Sequence, residues 1–461
     1  MRRVLRENAP CALAAAAGCA TLAWLGLYGP GWNDYETEVR PAVEALLAGH
    51  LHDFLSLAPL YGGSLIERAP FALLPGLWGA GEPVVYRFLA IPCLLASALL
   101  AVWVLSGMRA AGRPLGARAV VLVLLAANPV TLRALEVGHP EELLGASACV
   151  AAVLLAAAPR VSARRGLAAG ALLGLAIANK QWAVLAAAPV LLALPRERRV
   201  AAAAAALGAA ALVEAPLLIG AGGGYLHGAG TVASSSSAIF QPWQVFWFLG
   251  RHGALVHGLY GEAKPGYRVA PAWTGQVSHP LVLAAGAAIA ARLWLAARRR
   301  RLGAATALLA LAVTMLARCV LDTWDTAYYF LPAILALTVW EARTARARPP
   351  LLSLAVTVAV WAQFQWLPAR LSPDAQAAVF TVWSLGLLLA LAVRLRRELG
   401  RGAADPLARR RAGPEDRPRL GLRGRPQPTT VRSFESPVST SRPPSRTTTR
   451  SSIRTPSTSG R

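Results

Sequence analysis

The sequence has 461 residues, of which 55% are hydrophobic and only 15% are charged, and its mean hydropathy is +0.45. This composition excludes an ordinary soluble protein, because too few polar residues remain to cover a surface in water. The formal net charge of +24 could suit nucleic acid, but the Arg residues lie mostly in short segments between apolar runs. We therefore expect the lipid bilayer as a partner and no nucleic-acid partner.

The apolar runs predict the fold class. They approach the roughly 20 residues that cross a bilayer, and Arg clusters separate them at every second connection. This pattern predicts an all-α protein, a polytopic transmembrane bundle of about 12 helices with amphipathic loop helices on the outer face. The positive-inside rule puts the Arg clusters and both termini in the cytoplasm, which indicates a multi-pass protein of the bacterial inner membrane.

The predicted bundle covers residues 1–393 and has two long outer loops, at about 29–82 and 220–280. Its helices are predicted at about residues 10–28, 86–106, 119–135, 142–158, 166–194, 200–219, 281–297, 303–320, 327–341, 351–367 and 375–393. Residues 394–461 are basic and rich in Ser, Thr and Pro, so they are predicted to form a disordered cytoplasmic tail.

The stretch 166–194 could form one long helix or two short ones. Both of its flanks are Arg-rich and should therefore lie on the same side of the membrane. A single crossing would put one Arg cluster outside, so we predict two short helices that meet at Lys180 on the outer side.

Two outer segments place carboxylates where a helix begins. Asp34 and Glu36 precede an amphipathic helix that should end near Gly49, and Glu141 and Glu142 begin the fourth helix. Carboxylates from two loops could bind a divalent cation, or one could act as a base while the other orients an acceptor. The alternative is structural, because acids at such positions also cap helices and stabilise their positive ends.

A third outer segment, residues 318–329, combines a cation, carboxylates and aromatic rings, a mixture that suits sugar hydroxyls and ring faces. The candidate substrate-binding residues in it are Arg318, Asp322, Trp324, Asp325 and Tyr328. Helix capping with interfacial aromatics would explain the same pattern. Lys180, one of only two lysines in the chain, could pair with a phosphate or extend to the membrane interface.

Several of these features occur in an order typical of one group of enzymes. The matching segments are Asn33-Asp34-Tyr35-Glu36, residues 70–75, residues 86–92, Asn128-Pro129, His139-Pro140-Glu141-Glu142 and residues 170–180. In these features the chain resembles the C-type glycosyltransferase superfamily, and it looks most like the actinobacterial mannosyltransferase-like members.

The resemblance implies a membrane glycosyltransferase that moves a hexose, with mannose as the expected sugar, from a polyprenyl-phosphate donor with inversion. The acceptor would be an extracytoplasmic glycan, glycolipid or protein. In such enzymes an acid of the first outer loop is catalytic, which points to Asp34 with Glu36 beside it. A second acid carries over to Glu141 or Glu142.

The remaining candidates are predicted to bind substrate. Arg87 and His139 lie within the matching segments, and Lys180 and Arg318 could stabilise the charge of the leaving phosphate. The cofactor that this pattern allows is a divalent cation, Mg²⁺ or Mn²⁺. The superfamily often pairs two acids in the first loop, whereas Asn33 precedes Asp34 here.

Two other functions fit the composition. A secondary transporter or a flippase for lipid-linked sugars should carry ionisable residues near the middle of the membrane, whereas this chain places them at the outer ends of helices. A noncatalytic membrane assembly protein could keep the fold without the chemistry.

Overall fold

The computed structural model describes residues 2–28, 32, 34–221, 225, 240–252, 256–257, 263–298, 300–345 and 348–411. One compact unit extends from Met1 to Leu407, and a second begins at Ala408. All candidate functional residues lie in the first unit.

Helices dominate the described residues, which confirms the predicted all-α class. The α-helices are α1 Arg2–Gly26, α2 Arg40–Leu47, α3 Leu51–Leu57, α4 Gly63–Gly76, α5 Glu82–Ala110, α6 Leu115–Ala126, α7 Pro129–Val137, α8 Glu141–Ala156, α9 Ala163–Asn179, α10 Ala187–Ala193, α11 Arg196–Gly220, α12 Thr274–Ala297, α13 Ala304–Leu321, α14 Leu331–Thr344, α15 Leu351–Trp361 and α16 Pro373–Arg411. Tyr35–Val39 and Ala362–Trp366 are π-helical, and short 3₁₀ turns cover Gln181–Ala186, Trp247–Leu249, Ala327–Phe330 and Leu367–Ala369. The strands β1 Arg251–His252, β2 Val256–His257, β3 Ala263–Lys264 and β4 Arg268–Val269 form two antiparallel pairs, β1 with β4 and β2 with β3.

Eight segments of the described chain are long and apolar enough to cross a membrane, by length and composition. They are Asn8–Gly26, Glu82–Ala110, Leu115–Val137, Arg196–Gly220, Thr274–Ala297, Ala304–Leu321, Leu351–Ala369 and Pro373–Gly400. Four shorter helical segments complete the bundle: α8, α9, α10 with the 3₁₀ turn before it, and α14 with the turn before it. The prediction of about 12 helices in this order is confirmed.

The predicted break at Lys180 is also present. Helix α9 ends at Asn179, and Lys180 has extended dihedral angles of −154° and 124° before a 3₁₀ turn begins at Gln181. The stretch therefore forms two helical segments, which confirms that prediction. The break exposes backbone groups that a continuous helix would use, and the Lys180 amide still donates to the Ala176 carbonyl at 3.0 Å.

Small residues bring α9 and α11 into close contact. A Cβ atom added at Gly170 would lie 2.1 Å from the Ala202 carbonyl oxygen, and one at Gly174 would lie 2.1 Å from that of Ala206. Glycines one turn apart allow two membrane helices to approach backbone to backbone. This contact holds α9, and with it the Lys180 break, in a fixed position.

The last helix is longer than the sequence predicts. We expected it to end near Val393, with disorder after it, but α16 continues to Arg411. The extension is rich in Arg, Leu and Ala, which are strong helix formers, and Arg394 pairs with Glu398 one turn later at 3.5 Å. The rest of the predicted tail lies outside the described residues.

The Arg-rich connections meet at one end of the bundle, here named the arginine-rich end. The Arg113 guanidinium donates to the Ala345 carbonyl at 2.6 Å, which links the α5–α6 and α14–α15 connections. The Arg301 guanidinium donates to the Ala158 carbonyl at 3.0 Å, which links the α12–α13 and α8–α9 connections. This grouping is the one that alternating Arg clusters predict.

The candidate acids gather at the opposite end, here named the acidic end. The Tyr86 hydroxyl at the start of α5 donates to the Leu135 carbonyl at 2.6 Å, and Ser278 in α12 donates to the Leu321 carbonyl at 2.9 Å. The loop between α1 and α5 lies here and contains the predicted amphipathic helix, with Val39 and Val43 buried. Helices α3 and α4 of this loop were not predicted.

Candidate active site

A glycine turn brings the two acidic segments together. Gly138, between α7 and α8, has a φ of 115°, in the left-handed region that favours glycine. A Cβ atom at this position would lie 2.4 Å from the Tyr35 backbone nitrogen, so only glycine lets the turn approach the Asp34 segment this closely. The Tyr35 ring packs against Tyr86, with centroids 4.6 Å apart, which secures the other side of the segment.

His139 joins the two segments through both ring nitrogens. Its Nε2 lies 3.1 Å from Asp34 Oδ2, and its Nδ1 lies 2.7 Å from Glu141 Oε1. Burial and the nearby Lys180 ammonium lower the pKa of His139, but the Glu141 and Asp34 carboxylates outweigh them and raise the pKa from 6.5 to about 9. At neutral pH the ring is therefore protonated and donates to both carboxylates.

The position of Asp34 argues against the capping alternative. Asp34 stands at the N-cap of the Tyr35–Val39 turn, yet its side chain makes no capping hydrogen bond. Its carboxylate is about one-third exposed and pairs with His139 instead. Glu38, one turn later, approaches the same Nε2 to 4.0 Å, so the protonated ring lies between two accessible acids.

Glu141 is the centre of a buried charge network. Its Oε1 lies 3.2 Å from the Lys180 ammonium, and its Oε2 lies 3.3 Å from an Arg68 amino group. Together with His139, three cationic groups surround one fully buried carboxylate. Such a carboxylate holds its neighbours in place, because its removal would leave buried positive charges without a partner.

Glu142 differs from its neighbour in what it contacts. Successive helix residues point about 100° apart, so the two adjacent acids face different surroundings. Glu142 is fully buried, neither carboxylate oxygen has a hydrogen-bond partner among the described residues, and its nearest cation is Lys180 at 3.6 Å. A buried carboxylate without hydrogen bonds is rare, and those near a cavity often contact ligands.

Glu142 faces a cavity of about 420 Å³ at the acidic end. The lining combines charged and aromatic side chains with aliphatic ones: Leu60, Tyr61, Glu142, Lys180, Gln181, Trp182, Val184, Leu185, His279, Val282, Leu283, Arg318, Asp322 and Tyr329. Leu283 is 58% exposed and Val184 is 46% exposed, so the aliphatic side of the cavity reaches the apolar surface of the bundle. The cavity therefore connects a charged interior with the region that lipid would occupy.

Arg318 lines the cavity with unused hydrogen-bonding capacity. Its guanidinium lies 4.1 Å from the Tyr329 ring centroid and 5.2 Å from the Trp182 ring, and its Nη1 has no hydrogen-bond partner among the described residues. The Trp182 indole nitrogen is also buried without an acceptor in this part of the chain. Two donors and the Glu142 acceptor are thus available to a ligand.

Tyr61 connects the cavity with the loop between α1 and α5, which contains Asp34 and Glu38 and is here named the acidic loop. Its ring lies 3.6 Å from the Lys180 ammonium, its hydroxyl donates to Glu38, and its centroid is 5.6 Å from that of His139. Sequence reasoning missed Tyr61, because it lies in a segment without an apolar period. Tyr61 therefore lies between the accessible acids and the cationic cavity and contacts residues of both.

The segment after α13 joins the site in part. Asp322 lines the cavity, and the Tyr328 ring lies 4.8 Å from the His139 ring. Asp325 is buried with Oδ2 unbonded among the described residues, and its burial, with the nearby Asp322 charge, raises its pKa well above the usual range. Trp324 is 40% exposed and its backbone amide donates to Asp322, so its ring is not part of the cavity lining.

Two predicted residues lie apart from the cluster. The Arg87 guanidinium stacks over the Tyr28 ring at 3.8 Å and donates to the Leu27 carbonyl at 3.0 Å. These contacts fasten α5 to the end of α1. Glu36 is exposed, and its Oε1 accepts from the Trp32 amide at 3.4 Å, so it supports the start of the turn.

Sequence reasoning also missed Arg68, Trp182 and His279. Arg68 is the clearest omission, since it is a cation within an apolar helix, α4, and is 1% exposed. A charge in such a place indicates a buried partner, and that signal was present in the sequence. Trp182 and His279 gave no comparable signal, because only the folded chain brings them to the cavity.

The donor set around His139 does not favour a metal. The described residues contain no group of three or more His, Cys, Asp and Glu side chains that could hold a metal ion. A protonated imidazole cannot ligate a cation, and both nitrogens of His139 are occupied by carboxylates. The positive charge in the cavity comes from Lys180 and Arg318 instead.

The arrangement can bind an anion and a polyol beside a carboxylate. Lys180 and Arg318 supply positive charge inside the cavity, Glu142 and Asp322 supply acceptors for hydroxyl groups, and Asp34 lies nearby at the more accessible side. A carboxylate paired with a protonated histidine can accept a proton if the pair is separated by substrate.

Comparison with known proteins gives one result that agrees with this chemistry. The profile of glycosyltransferase family 87 matches residues 63–321, which is more than half of the 461 residues. The matched region begins with α4 and ends with α13, so it includes Glu141, Glu142, Lys180 and Arg318 but not Asp34. No curated protein matches the chain.

Proposed function

The chain belongs to glycosyltransferase family 87, and from this premise we propose that it transfers mannose from a polyprenyl-phosphate donor to an acceptor hydroxyl. The proposed mode of action is that of the C-type glycosyltransferases, in which a lipid carries the sugar to a membrane-embedded site. The acceptor class is an extracytoplasmic glycolipid, glycan or protein. Transfer would invert the anomeric centre.

One observation carries the proposal: a cationic cavity with an apolar side lies next to an accessible carboxylate. The cavity contains Lys180 and Arg318, and its aliphatic wall reaches the bundle surface at Val184 and Leu283. A polyprenyl-phosphate sugar has the matching parts, an anionic phosphate and a long apolar tail. A water-soluble nucleotide sugar would make no use of the apolar wall.

The phosphate of the donor would lie between Lys180 and Arg318. A compact ammonium and a planar guanidinium both bind phosphate oxygens, and inside a protein their attraction exceeds that at a water-exposed surface. These two cations would also stabilise the negative charge that grows on the leaving phosphate as the glycosidic bond breaks. The unbonded Arg318 Nη1 has the hydrogen to donate.

The sugar would lie against Glu142, Asp322 and Trp182. The Glu142 carboxylate has no hydrogen bond among the described residues, so it can accept from sugar hydroxyls without losing another contact. Recognition of hydroxyls by buried polar groups gives strong discrimination, because a substrate that lacks the hydroxyl leaves the acceptor unpaired.

Asp34 would act as the base. In the proposed step the acceptor oxygen attacks the anomeric carbon from the face opposite the phosphate. The bond between that carbon and the phosphate oxygen breaks, polyprenyl phosphate leaves, and the hydroxyl proton passes to Asp34. His139, held by Glu141, would orient the Asp34 carboxylate before the acceptor arrives.

The same proposal assigns the sides of the membrane. The arginine-rich end would face the cytoplasm and the acidic end the outside of a bacterial inner membrane, with both termini cytoplasmic. An impermeant thiol reagent on intact cells tests this in a chain without its native cysteines. We expect reaction at His50→Cys in the acidic loop and none at Arg198→Cys, and the reverse labelling would invert the assignment.

A divalent cation is the alternative proposal: because the described residues form no metal site by themselves, Mg²⁺ or Mn²⁺ would need oxygens of the substrate as ligands beside Asp34 and Glu38. It is tested by transfer in EDTA followed by addition of each metal. Full activity in EDTA would mean that Lys180 and Arg318 stabilise the negative charge of the phosphate without a metal.

The decisive experiment is transfer by the purified full-length protein in lipid nanodiscs. Polyprenyl-phosphate [³H]mannose is the donor, a membrane lipid extract supplies acceptors, and GDP-[³H]mannose replaces the lipid donor in a parallel reaction. We expect label to enter glycolipid or protein only from the lipid donor. Folded protein that transfers from neither donor, or from the nucleotide sugar alone, contradicts the proposal.

Variants locate the reaction in the cavity. Arg318→Gln should lower turnover by about 10²-fold, a typical loss for one charge-stabilising group. Arg370→Gln is the matched control, since Arg370 is exposed and its guanidinium donates to the Trp366 carbonyl at 3.0 Å, away from the cavity. Equal turnover of the Arg318 variant and wild type would remove the cavity from the mechanism.

A further inference from the structure

A second cavity lies far from the candidate active site, at the arginine-rich end. It has a volume of about 520 Å³ and lies between α12, α13 and α16. Its lining is aliphatic except for two guanidinium groups, with Ile289, Leu295, Val313 and Leu395 beside Arg292 and Arg396. We name it the α12–α16 groove.

Both arginines line the groove at the arginine-rich end. Both helices run from the acidic end, where the Arg268–Asp374 pair joins the segment before α12 to the start of α16. Arg292 lies five residues before the end of α12 at Ala297, and Arg396 lies three residues after Val393, where the apolar part of α16 ends. At 1.5 Å per residue, Arg292 lies about 7–8 Å inside the apolar helix α12, and Arg396 lies about 4–5 Å beyond the apolar part of α16.

Neither arginine has a carboxylate partner among the described residues. The nearest acid along α16, Glu398, pairs with Arg394 rather than with Arg396. Both side chains are exposed and so open to a ligand, and Arg recognises phosphate through a planar set of donors. The groove thus combines two phosphate-binding groups with walls that suit hydrocarbon.

We propose that the α12–α16 groove binds one anionic phospholipid, with its phosphate between Arg292 and Arg396. The acyl chains would follow Ile289 and Val313 toward the middle of the bundle. Basic pockets between membrane helices are typical sites for anionic head groups. This assignment is independent of the proposed transferase activity.

Charge complementarity favours a lipid over the other candidates. The C-terminal segment of this chain is itself rich in Arg, so it would be repelled by the two guanidinium groups. A free phosphate ion would satisfy the charge but would leave the aliphatic walls of the groove without a partner. A glycerophospholipid satisfies both.

The test is lipid retention by the full-length protein, measured by native mass spectrometry after exchange into mixed nanodiscs. The nanodiscs contain phosphatidylglycerol and phosphatidylcholine with identical acyl chains. We expect one phosphatidylglycerol to be retained, and about tenfold or more loss of retention in R292Q/R396Q. The double variant R298Q/R397Q removes the same charge from the same end outside the groove and should retain the lipid.

A second variant keeps both arginines and fills the part of the groove that would hold the acyl chains. Ala288 is an exposed residue of α12 that lines the groove, so Ala288→Phe should fold and still exclude the acyl chains. We expect it to reduce retention with both arginines present. Millimolar inorganic phosphate should not displace the lipid from wild type, and displacement would instead assign the site to a free anion.

Other outcomes overturn the proposal. Equal retention of the two lipids by wild type would mean that the groove does not select charge. Equal losses in R298Q/R397Q and R292Q/R396Q would mean that lipid binding follows the total surface charge. Unchanged retention in Ala288→Phe would place the bound lipid elsewhere.

Discussion

Replacing Glu141 by Gln should destabilise the protein, whereas the same change at Glu142 should not, although the two residues are adjacent and chemically identical. Glu141 holds His139, Lys180 and Arg68 within 3.3 Å, whereas Glu142 has one cation at 3.6 Å and no hydrogen bond among the described residues. Glu141→Gln should therefore lose folded protein, and Glu142→Gln should lose activity.

The magnitude for Glu141 follows from its partners. Raising the pKa of His139 from 6.5 to about 9 corresponds to about 3 kcal/mol at 1.4 kcal/mol per pKa unit, part of which comes from Asp34. Breaking a buried ion pair by removing one partner typically costs about 3–5 kcal/mol. At roughly 2 °C per kcal/mol for a chain of this size, we expect Tm to fall by about 6–10 °C.

The assay is a thermal shift in nanodiscs at pH 6.5, combined with transfer measured well below the lower Tm. Glu142→Gln should keep Tm within about 2 °C of wild type and lose about 10²-fold in turnover. Glu136→Gln is the surface control, since its pair with Arg133 at 3.2 Å is partly exposed and contributes at most about 1 kcal/mol. Equal destabilisation by the two neighbouring substitutions would refute the charge network, and wild-type turnover in Glu142→Gln would refute its contact with substrate.

Three further predictions concern the Asp34 side of the site. Asp34→Asn should lower Tm less than Glu141→Gln does, because the side chain makes no capping bond and gives up only its pair with His139. It should lower transfer by about 10²-fold or more, because an amide cannot take the proton, and near wild-type turnover of folded protein would exclude Asp34 as the base. Gly138→Ala should lower both Tm and transfer, because its Cβ would meet the Tyr35 backbone. The control is Gly112→Ala, which adds a Cβ at another positive φ, 67°, but in open space. Equal losses in the two variants would assign the effect to backbone strain alone. The stabilisation from protonated His139 should be fully present below pH 6.5 and disappear as the pH rises through about 9. The Tm of wild type should therefore fall over that interval, while the Tm of His139→Gln stays flatter. Parallel Tm curves would contradict this.

Much of the bundle could be predicted from the sequence, because the lipid bilayer determines which segments are apolar helices and where the arginines lie. Apolar runs set the helices, and the Arg clusters required both ends of 166–194 to share a side, which left a break at Lys180 as the only consistent arrangement. The end of α16 was missed for a related reason. Low hydropathy ends a membrane span, but it does not end a helix rich in Arg, Leu and Ala, so α16 continues to Arg411.

The site was predictable only as a region. The acidic residues at two helix starts made Asp34 and the Glu141–Glu142 pair candidates for the site. Nothing in the local pattern, however, distinguishes a carboxylate held by three cations from one that faces a cavity. That distinction arises from helix rotation and from partners on α4 and after α9. Tyr61, which lies between the acids and the cavity, is likewise defined by tertiary contacts with Lys180 and Glu38.

The pairing of Lys180 and Arg318 in one cavity has a consequence for turnover. The proposed donor, a polyprenyl-phosphate sugar, is a phosphodiester with a single negative charge, whereas the polyprenyl phosphate that would be left after transfer is a monoester with about −1.5 to −2 at pH 7. The cations that assist bond breaking would therefore hold the spent carrier more tightly than the incoming donor. Departure of the carrier into the bilayer, rather than sugar transfer, would then limit the rate, and polyprenyl phosphate would be a competitive inhibitor with an affinity above that of the donor.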